Sequence, residues 1–269
     1  MRPVPGRLVL LGHPVAQSRS ALFQNAALRH AGIPLEYEPW DVTADTLDSA
    51  LASLALVNGA GNVTMPHKEA VAARCVRRSA LAERTGAVNT FWHEDGELVG
   101  DNTDVAGIDF VTAALLGAGR PMASVALIGA GGSAAAVLAA TERWGSARVR
   151  LYNRSMDRAH RLAQRFEHIA TVVASVEDAL RGATLVVNAT SIGMRDAAFP
   201  VPIEQLPPDA AVFDLVYRRE ESPWVTASRA AGHRASDGEG MLLEQGAVAF
   251  ERWFGVAPDR NVMLRAIHA

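Results

Sequence analysis

Three regions of the chain carry more directional hydrogen-bonding groups than a solvated surface needs. "QSRS" puts Ser18 and Ser20 at a strand-to-helix turn, and "NVTMPHK" offers Asn62, Thr64 and Lys68. "GAVNT" and "GDNTD" add Asn89 and Asp104. Hydroxyls, amides, an ammonium and a carboxylate suit a small polyhydroxylated anion held by many directional hydrogen bonds. Taken singly, each has a structural alternative. Lys68 either decorates the first turn of a surface helix or reaches into a cleft. Ser20 and Asp104 have the type and position of helix N-caps, and Asn89 that of a turn former.

A second kind of chemistry is written into "ALIGAGGSA", which sets Gly129, Gly131 and Ala134 at the G-x-G-x-x-[GA] positions between an apolar strand and a helix. That context gives the pattern its meaning. Gly129 permits the tight turn, Gly131 lets backbone approach a pyrophosphate, and Ala134 allows close helix–strand packing. Ala130, Gly132 and Ser133 complete a turn whose helix start offers free N–H groups to phosphates. The alternative is a plain glycine-rich βα turn. At the end of the following strand, where NAD-binding folds place an Asp or Glu, "RVRLYNRSMDRA" has Asn153, Arg154 and Ser155, with Arg158 one helical turn on. A carboxylate would repel a ribose 2′-phosphate, whereas arginine attracts it through charge-assisted hydrogen bonds. NADP is therefore favoured over NAD. Arg154 is the better candidate, because Arg158 could equally be a solvated helix residue.

These groups need a scaffold, and the hydrophobic pattern supplies one. "RLVLLG" is a buried strand stopped by Gly, followed by a helix from about Ser20 to His30. Strand-like "LEYEPWDV", helical "ADTLDSALASLAL", strand "GAGNVTMP" and helix "HKEAVAARC" follow. Alternation at this spacing predicts a mainly parallel α/β sheet. "AVNTFWHEDGELVGDNTD" breaks the rhythm with a hairpin around "EDGE". After the helix "DVAGIDFVTAALLGAG" come further α/β units: the glycine turn, "ARVRLYN" with "SMDRAHRLAQRF", "TLVVNATS", and "AAVFDLVY" with "SPWVTASRAAG". "GMLLEQGAVAFERWFG" and "DRNVMLRAI" are amphipathic helices with no further strand, placed to pack back on the first domain. The fold class is α/β with two domains. Residues 1–103 and 239–269 form the substrate domain, and 104–238 form a Rossmann-like dinucleotide-binding domain.

Composition excludes several function classes. A chain of 269 residues is long enough for two cores, and 49% hydrophobic with 20% charged residues is ordinary for a globular protein. A net charge of -3 offers no nucleic-acid footprint. The pairs Arg77–Arg78 and Arg218–Arg219 read as solvated helix ends. A single cysteine, Cys75, excludes an internal disulfide and a cysteine-based metal site, and its helical surroundings give it a half-buried packing role. No run is apolar and long enough to span a membrane, and the N-terminal stretch does not resemble a cleaved signal, so a cytoplasmic protein is expected.

Read in order, "GHPVAQSRS", "GNVTMPHK", "GAVNT", "GDNTD", "GAGGSA", "NRS", "NATSIGM", "DLVY" and "GMLLEQGA" resemble the motif series of the shikimate dehydrogenase family over nearly the whole chain. The resemblance implies NADPH-dependent reduction of 3-dehydroshikimate to shikimate, on the route to chorismate and the aromatic amino acids. It implies that Ser18 and Ser20 bind the substrate carboxylate, and that Thr64, Asn89, Asp104 and Gln245 surround the ring hydroxyls. Lys68 and Asp104 match the catalytic pair, and Tyr217 a tyrosine lining the same cleft. The stretch Asn188 to Met194 matches the wall beside the nicotinamide, which makes Thr190, Ser191, Gly193 and Met194 cofactor contacts, with Gly238 another. No metal is implied. Monomer and homodimer both stay open.

The chain departs from the family pattern at four positions, of which Gln17 and Val105 border the substrate cleft that the resemblance implies. Gln17 stands where His is usual, Ala21 where Pro follows the second serine, Val105 where Gly is common, and Arg219 where Pro often follows "DLVY". None removes a proposed catalytic group. Two alternatives follow: a quinate/shikimate dehydrogenase using NAD, and a non-catalytic NADP-binding paralogue.

Overall fold

The computed structural model describes residues 4–269, the side chains of 118–120 excepted. The chain divides into two compact units, one running to Asp104 and resuming at Leu243–Ala269, the other Val105–Leu242.

The first unit opens β1 (Leu8–Gly12), α1 (Ser20–His30), β2 (Tyr37–Asp41), α2 (Leu47–Ala55), β3 (Ala60–Val63) and α3 (Lys68–Arg74). β4 (Arg77–Arg78), α4 (Ala80–Thr85), β5 (Thr90–Glu94) and β6 (Glu97–Asp101) follow. Its six-stranded sheet has the order β2-β1-β3-β5-β6-β4. β1 is buried at all five positions because parallel neighbours flank it on both edges and apolar side chains cover its faces. Val9, Leu11, Leu51, Leu54, Val63, Val71 and Phe91 form much of the core on one face. The "EDGE" hairpin is present as expected: β5 and β6 pair antiparallel across Asp95 and Gly96, whose φ of 54° and 79° are those of a two-residue type I′ turn.

Both arginine pairs depart from the helix ends expected of them: Arg218 and Arg219 lie in irregular chain, with Arg218 donating to the Gly193 carbonyl at 3.1 Å. Arg77 and Arg78 are not a helix end but a short edge strand, paired in parallel with Val99 and Gly100 of β6. Arg77 reaches Glu94 at 2.9 Å and Glu97 at 3.1 Å, so the open edge is charged, which discourages further strand pairing. Cys75, just past α3, has the packing role expected of it. Gly100 makes room for it, since a Cβ there would stand 2.7 Å from its Sγ. Burial pushes the thiol up to about 11. The folded protein is therefore expected to resist thiolate-directed alkylation at mildly alkaline pH and to react rapidly once unfolded in urea. Comparable rates in the two states would contradict this packing.

The second unit holds most of α5 (Asp104–Leu116), then β7 (Ser124–Ile128), α6 (Gly132–Glu142), β8 (Arg148–Tyr152) and α7 (Met156–Gln164). β9 (Ala170–Val172), α8 (Val176–Leu180), β10 (Leu185–Asn188), β11 (Ala211–Asp214), α9 (Pro223–Ala230) and β12 (Ala235–Ser236) complete it. The strands are all parallel in the order β12-β11-β10-β7-β8-β9. Counted from β7, this is the order 3-2-1-4-5-6 of a doubly wound dinucleotide-binding sheet. β10 and β11 are buried at every position, which the runs "LVVN" and "AVFD" require of central parallel strands. β9, α8 and β12 were not anticipated. They span only two to five residues, too short to show a period.

The chain then enters α10 (Glu239–Phe254) and ends in α11 (Arg260–Ile267). As expected, these helices return to the first unit. At Gly246 the backbone of α10 comes so close to α1 that a Cβ would lie 2.4 and 2.7 Å from the Phe23 ring. The Gln24 amide donates to the Gly246 carbonyl at 2.9 Å. α11, capped by the Asp259 carboxylate, packs along α1.

Candidate active site

Sheet register explains why the polar stretches of the first unit meet. β1 and β3 run in parallel with Leu11 opposite Val63, so the chain leaves both at the same end of the sheet. β5 is antiparallel to β3, with Asn62 opposite Thr90, so Asn89 precedes β5 at that same end. β6 returns there with Asp101 opposite Thr90, delivering Asn102, Thr103 and Asp104. Four segments distant in sequence thus share one sheet end.

Lys68 is the first residue of α3, a position where the helix dipole disfavours a cation. Its ammonium is not spread into solvent: Nζ donates to Asp104 Oδ2 at 2.6 Å, and the two side chains are only 16% and 5% exposed. Asp104 begins α5, where the same dipole favours a carboxylate. Its other oxygen, Oδ1, accepts from Asn89 Nδ2 at 2.8 Å. The Asn89 amide cannot turn round, because its Oδ1 takes the Thr103 N–H at 2.7 Å. Asn89 Nδ2 also lies 3.0 Å from Gln245 Oε1, which α10 brings to the group. Behind Asn89, Tyr37 Oη donates to Asn62 Oδ1 at 2.8 Å and Asn62 Nδ2 to the Asn89 carbonyl at 3.1 Å, all buried. His67 anchors the turn before Lys68, its Nε2 lying 2.5 Å from the Val42 carbonyl.

The structural alternatives are now decided. Asn89 is no turn former: its N–H donates to Asp101 and its carbonyl accepts from Val63, extending the sheet. Ser20 is not an N-cap, since Arg19 occupies that position and Ser20 is the first helical residue, buried. Its N–H donates to Ser18 Oγ at 3.3 Å, so the two serines sit on one tight turn. Thr64 is half-buried beside Gly12, where a Cβ would strike its methyl at 2.3 Å. Asp104 engages Lys68 and Asn89 with its carboxylate. Lys68, Asp104, Asn89 and Gln245 are brought together, whereas Tyr217 lies in the second unit, past β11.

In the second unit, Gly129 has φ +113°, and a Cβ there would lie 2.7 Å from the Ala189 carbonyl oxygen. Ala134 is fully buried. Gly131 caps α6, and a Cβ there would meet no protein atom within 4 Å. Its glycine is therefore not required by protein packing but leaves open a cradle at a helix N-terminus, where a dinucleotide phosphate fits. At the end of β8, Asn153 Nδ2 ties the turn by donating to the Ser155 carbonyl at 2.9 Å, and Arg154 and Arg158 are exposed. The residues suit a 2′-phosphate. Thr190 is half-buried, Ser191 and Met194 are exposed, and Gly193 takes φ +86°. Gly238 is buried against backbone, its Cβ position 2.3 Å from the Leu215 carbonyl oxygen.

The resemblance placed Asn188 beside the nicotinamide, but its buried pairing with Asp214 escaped the sequence reading. Asn188 and Asp214 close adjacent strands in register, and both are fully buried. Burial pushes the Asp214 carboxyl up, while hydrogen bonds from Ser222, Val216 and Asn188 oppose the shift. Burial likewise raises nearby Asp237. The available signal was a polar residue ending each of two otherwise apolar strands.

These two units define a class: a dinucleotide-binding α/β protein with a separate polar site built around a Lys–Asp pair. Family comparison makes it specific. Residues 10–91 match the shikimate dehydrogenase substrate binding domain, 113–194 the shikimate/quinate 5-dehydrogenase domain, and 238–268 the shikimate 5′-dehydrogenase C-terminal domain. A shikimate dehydrogenase (NADP(+)) of Chelativorans sp. is 37% identical over 264 residues, 97% of this chain and 95% of the relative. One of Rubrobacter xylanophilus is 41% identical over 268 residues, covering 96% and 94%. The Thermus thermophilus shikimate 5-dehydrogenase solved with NADP(H) and shikimate superimposes with a TM-score of 0.86 at 37% identity, covering 97% and 98% of the two chains. The chain belongs to the shikimate dehydrogenase family.

Proposed function

We propose that this protein is an NADP-dependent shikimate dehydrogenase, reversibly reducing 3-dehydroshikimate to shikimate. The observation that carries the reading is the Lys68–Asp104 pair at 2.6 Å, joined through Asn89 to Gln245. NADP, when bound, supplies the hydride acceptor or donor. Reduction of a carbonyl builds negative charge on its oxygen, which requires a positioned proton donor. Lys68 as ammonium stabilises that oxygen and gives it a proton; in the oxidative direction the neutral amine accepts the proton back. Asp104 orients Lys68 and accepts a hydrogen bond from the same substrate hydroxyl. Asn89 holds Asp104 in place, and with Thr64 and Gln245 it provides further partners for ring hydroxyls. Ser18 and Ser20 donate to the substrate carboxylate, and Tyr217 completes the substrate's surroundings.

On the cofactor side, Gly129 to Ala134 receive the pyrophosphate, and Asn153, Arg154, Ser155 and Arg158 the 2′-phosphorylated ribose. Thr190, Ser191, Gly193, Met194 and Gly238 contact the nicotinamide half. The substrate domain comprises 1–103 with 239–269, and the NADP domain 104–238. Among the described residues, no helix is long and apolar enough to cross a membrane. We place the enzyme in the cytoplasm. The NAD-dependent quinate and binding-only alternatives are not favoured: β8 ends in Asn153 and Arg154 rather than in a carboxylate, and the Lys–Asp pair is intact.

Initial rates of NADP and NAD reduction, with shikimate and quinate offered in parallel, test this reading. Fast turnover with shikimate and NADP, and little in the other combinations, is expected. Better rates with quinate or NAD would reassign the substrate or cofactor. Silence throughout, with NADP still bound, would leave only a binding protein.

A further inference from the structure

We propose that Asp214, acting through Asn188, is a positioning residue for the nicotinamide half of the cofactor; this rests on the NADP-dependent reading above. Three donors converge on the Asp214 carboxylate: Ser222 Oγ at 2.5 Å, Asn188 Nδ2 at 2.8 Å and the Val216 N–H at 3.1 Å. The Val216 N–H can only donate, so Oδ1, the oxygen it shares with Asn188, is an acceptor. That decides which way the Asn188 amide faces. Its nitrogen turns to Asp214, and its oxygen turns to the following loop, where it accepts from Thr190 N–H at 3.0 Å and Thr190 Oγ1 at 2.6 Å. The loop is then closed twice more, by Ile192 N–H donating to Thr190 Oγ1 at 3.1 Å and by Asn188 Nδ2 reaching the Ile192 carbonyl at 3.2 Å. A flipped amide would set a donor against two donors at Thr190 and an acceptor against the carboxylate.

The loop's location gives this rigidity a purpose. β7 is flanked by β8 on one side and β10 on the other, so the chain reverses its winding between β7 and β10. Open α/β sheets bind dinucleotides across that switch point, one nucleotide on each half. Ala189 and Thr190 stand directly there: a Cβ on Gly129 would lie 2.7 Å from the Ala189 carbonyl oxygen and 3.0 Å from Thr190 Cγ2. Arg154 stands two residues past β8, within the β7–β9 half, and its 2′-phosphate role leaves the β10–β12 half, carrying Asn188 and Asp214, to the nicotinamide nucleotide.

The experiment compares Asp214→Leu, Asp214→Asn and Thr190→Val in the full chain. Asparagine can present its carbonyl to Asn188 and Val216 and its amide to the Ser222 hydroxyl, which can accept. Thr190→Val keeps the side-chain shape and removes the hydroxyl links without emptying a buried carboxylate site, so it reports even where Asp214→Leu fails to fold. Small misplacements near hydride transfer cost up to about a hundredfold, so kcat/KM for NADP should fall by about tenfold in Asp214→Leu and Thr190→Val. Asp214→Asn should restore most of the loss. Adenosine 2′,5′-bisphosphate, which probes only the other half, should bind all three variants as it binds the parent. The deuterium isotope effect from shikimate labelled at the reacting carbon should rise in the impaired variants. Rates unchanged in Thr190→Val, or a parallel loss of bisphosphate binding and turnover, would overturn the positioning role while leaving the NADP-dependent reading intact. Failure of the parent protein to bind the bisphosphate or reduce NADP would overturn both.

Discussion

Lys68→Ala is expected to lower turnover by on the order of a hundredfold or more, because it removes the group that handles the proton at the developing alkoxide. Affinity for NADP should stay nearly unchanged, since the glycine turn and Arg154 belong to the second unit while Lys68 belongs to the first. The loss should appear in kcat and kcat/KM together, the signature of an interaction made in the transition state. Two features of the site sharpen this expectation. The ammonium is held by Asp104 at 2.6 Å with a side chain only 16% exposed, and Lys68 is the sole lysine of the sequence, so no other lysine can take its place. Asp104 is also left with Asn89 as its remaining side-chain donor in that network. Steady-state kinetics beside equilibrium titration of NADP would check both halves. Unchanged turnover would remove Lys68 from the chemistry.

Arg154→Ala should weaken NADP by roughly ten- to a hundredfold, the worth of a hydrogen bond to a charged group, and weaken NAD much less. The argument rests on what stands at the end of β8. A carboxylate there would accept from a ribose hydroxyl and repel a phosphate, but this chain has Asn153, Arg154 and Ser155. Asn153 donates within the turn, and of the two exposed arginines Arg154 is the nearer to the strand end and the better candidate for the phosphate. Paired titrations with NADP and NAD read the difference. Equal weakening of the two would mean that Arg154 supports the turn and not the phosphate.

What could be read in advance follows the range of the interaction. The strand–glycine–helix unit around Gly129 to Ala134 is local: an apolar run, a turn and a helix start lie within a dozen residues, so periodicity and turn chemistry reveal it. The "EDGE" hairpin is local in the same sense. The Lys68–Asp104 pair is not. A lysine opening a helix and an aspartate opening another each have a bland reading, and only the register of β3, β5 and β6 carries them to one sheet end. Gln245 lies farther still, 156 residues from its partner Asn89. Its place was available only through resemblance to the family. Arg77 and Arg78 were misread because a two-residue edge strand has no alternation to detect, and a charged pair looks like a helix end. The Asn188–Asp214 hub was invisible for a different reason. Its partners are the closing residues of two buried strands whose adjacency is a property of the sheet order.

In the proposed reaction the Lys68–Asp104 site acts on the 3-dehydroshikimate carbonyl with NADPH. The most direct measurement follows the loss of NADPH absorbance on adding 3-dehydroshikimate to the purified protein, with chromatographic identification of the product, for the parent and Lys68→Ala side by side. One shikimate formed per NADPH consumed is expected of the parent, and a rate at least about a hundredfold lower of the variant. NADPH that binds but is not consumed, or equal rates in parent and variant, would contradict this reading.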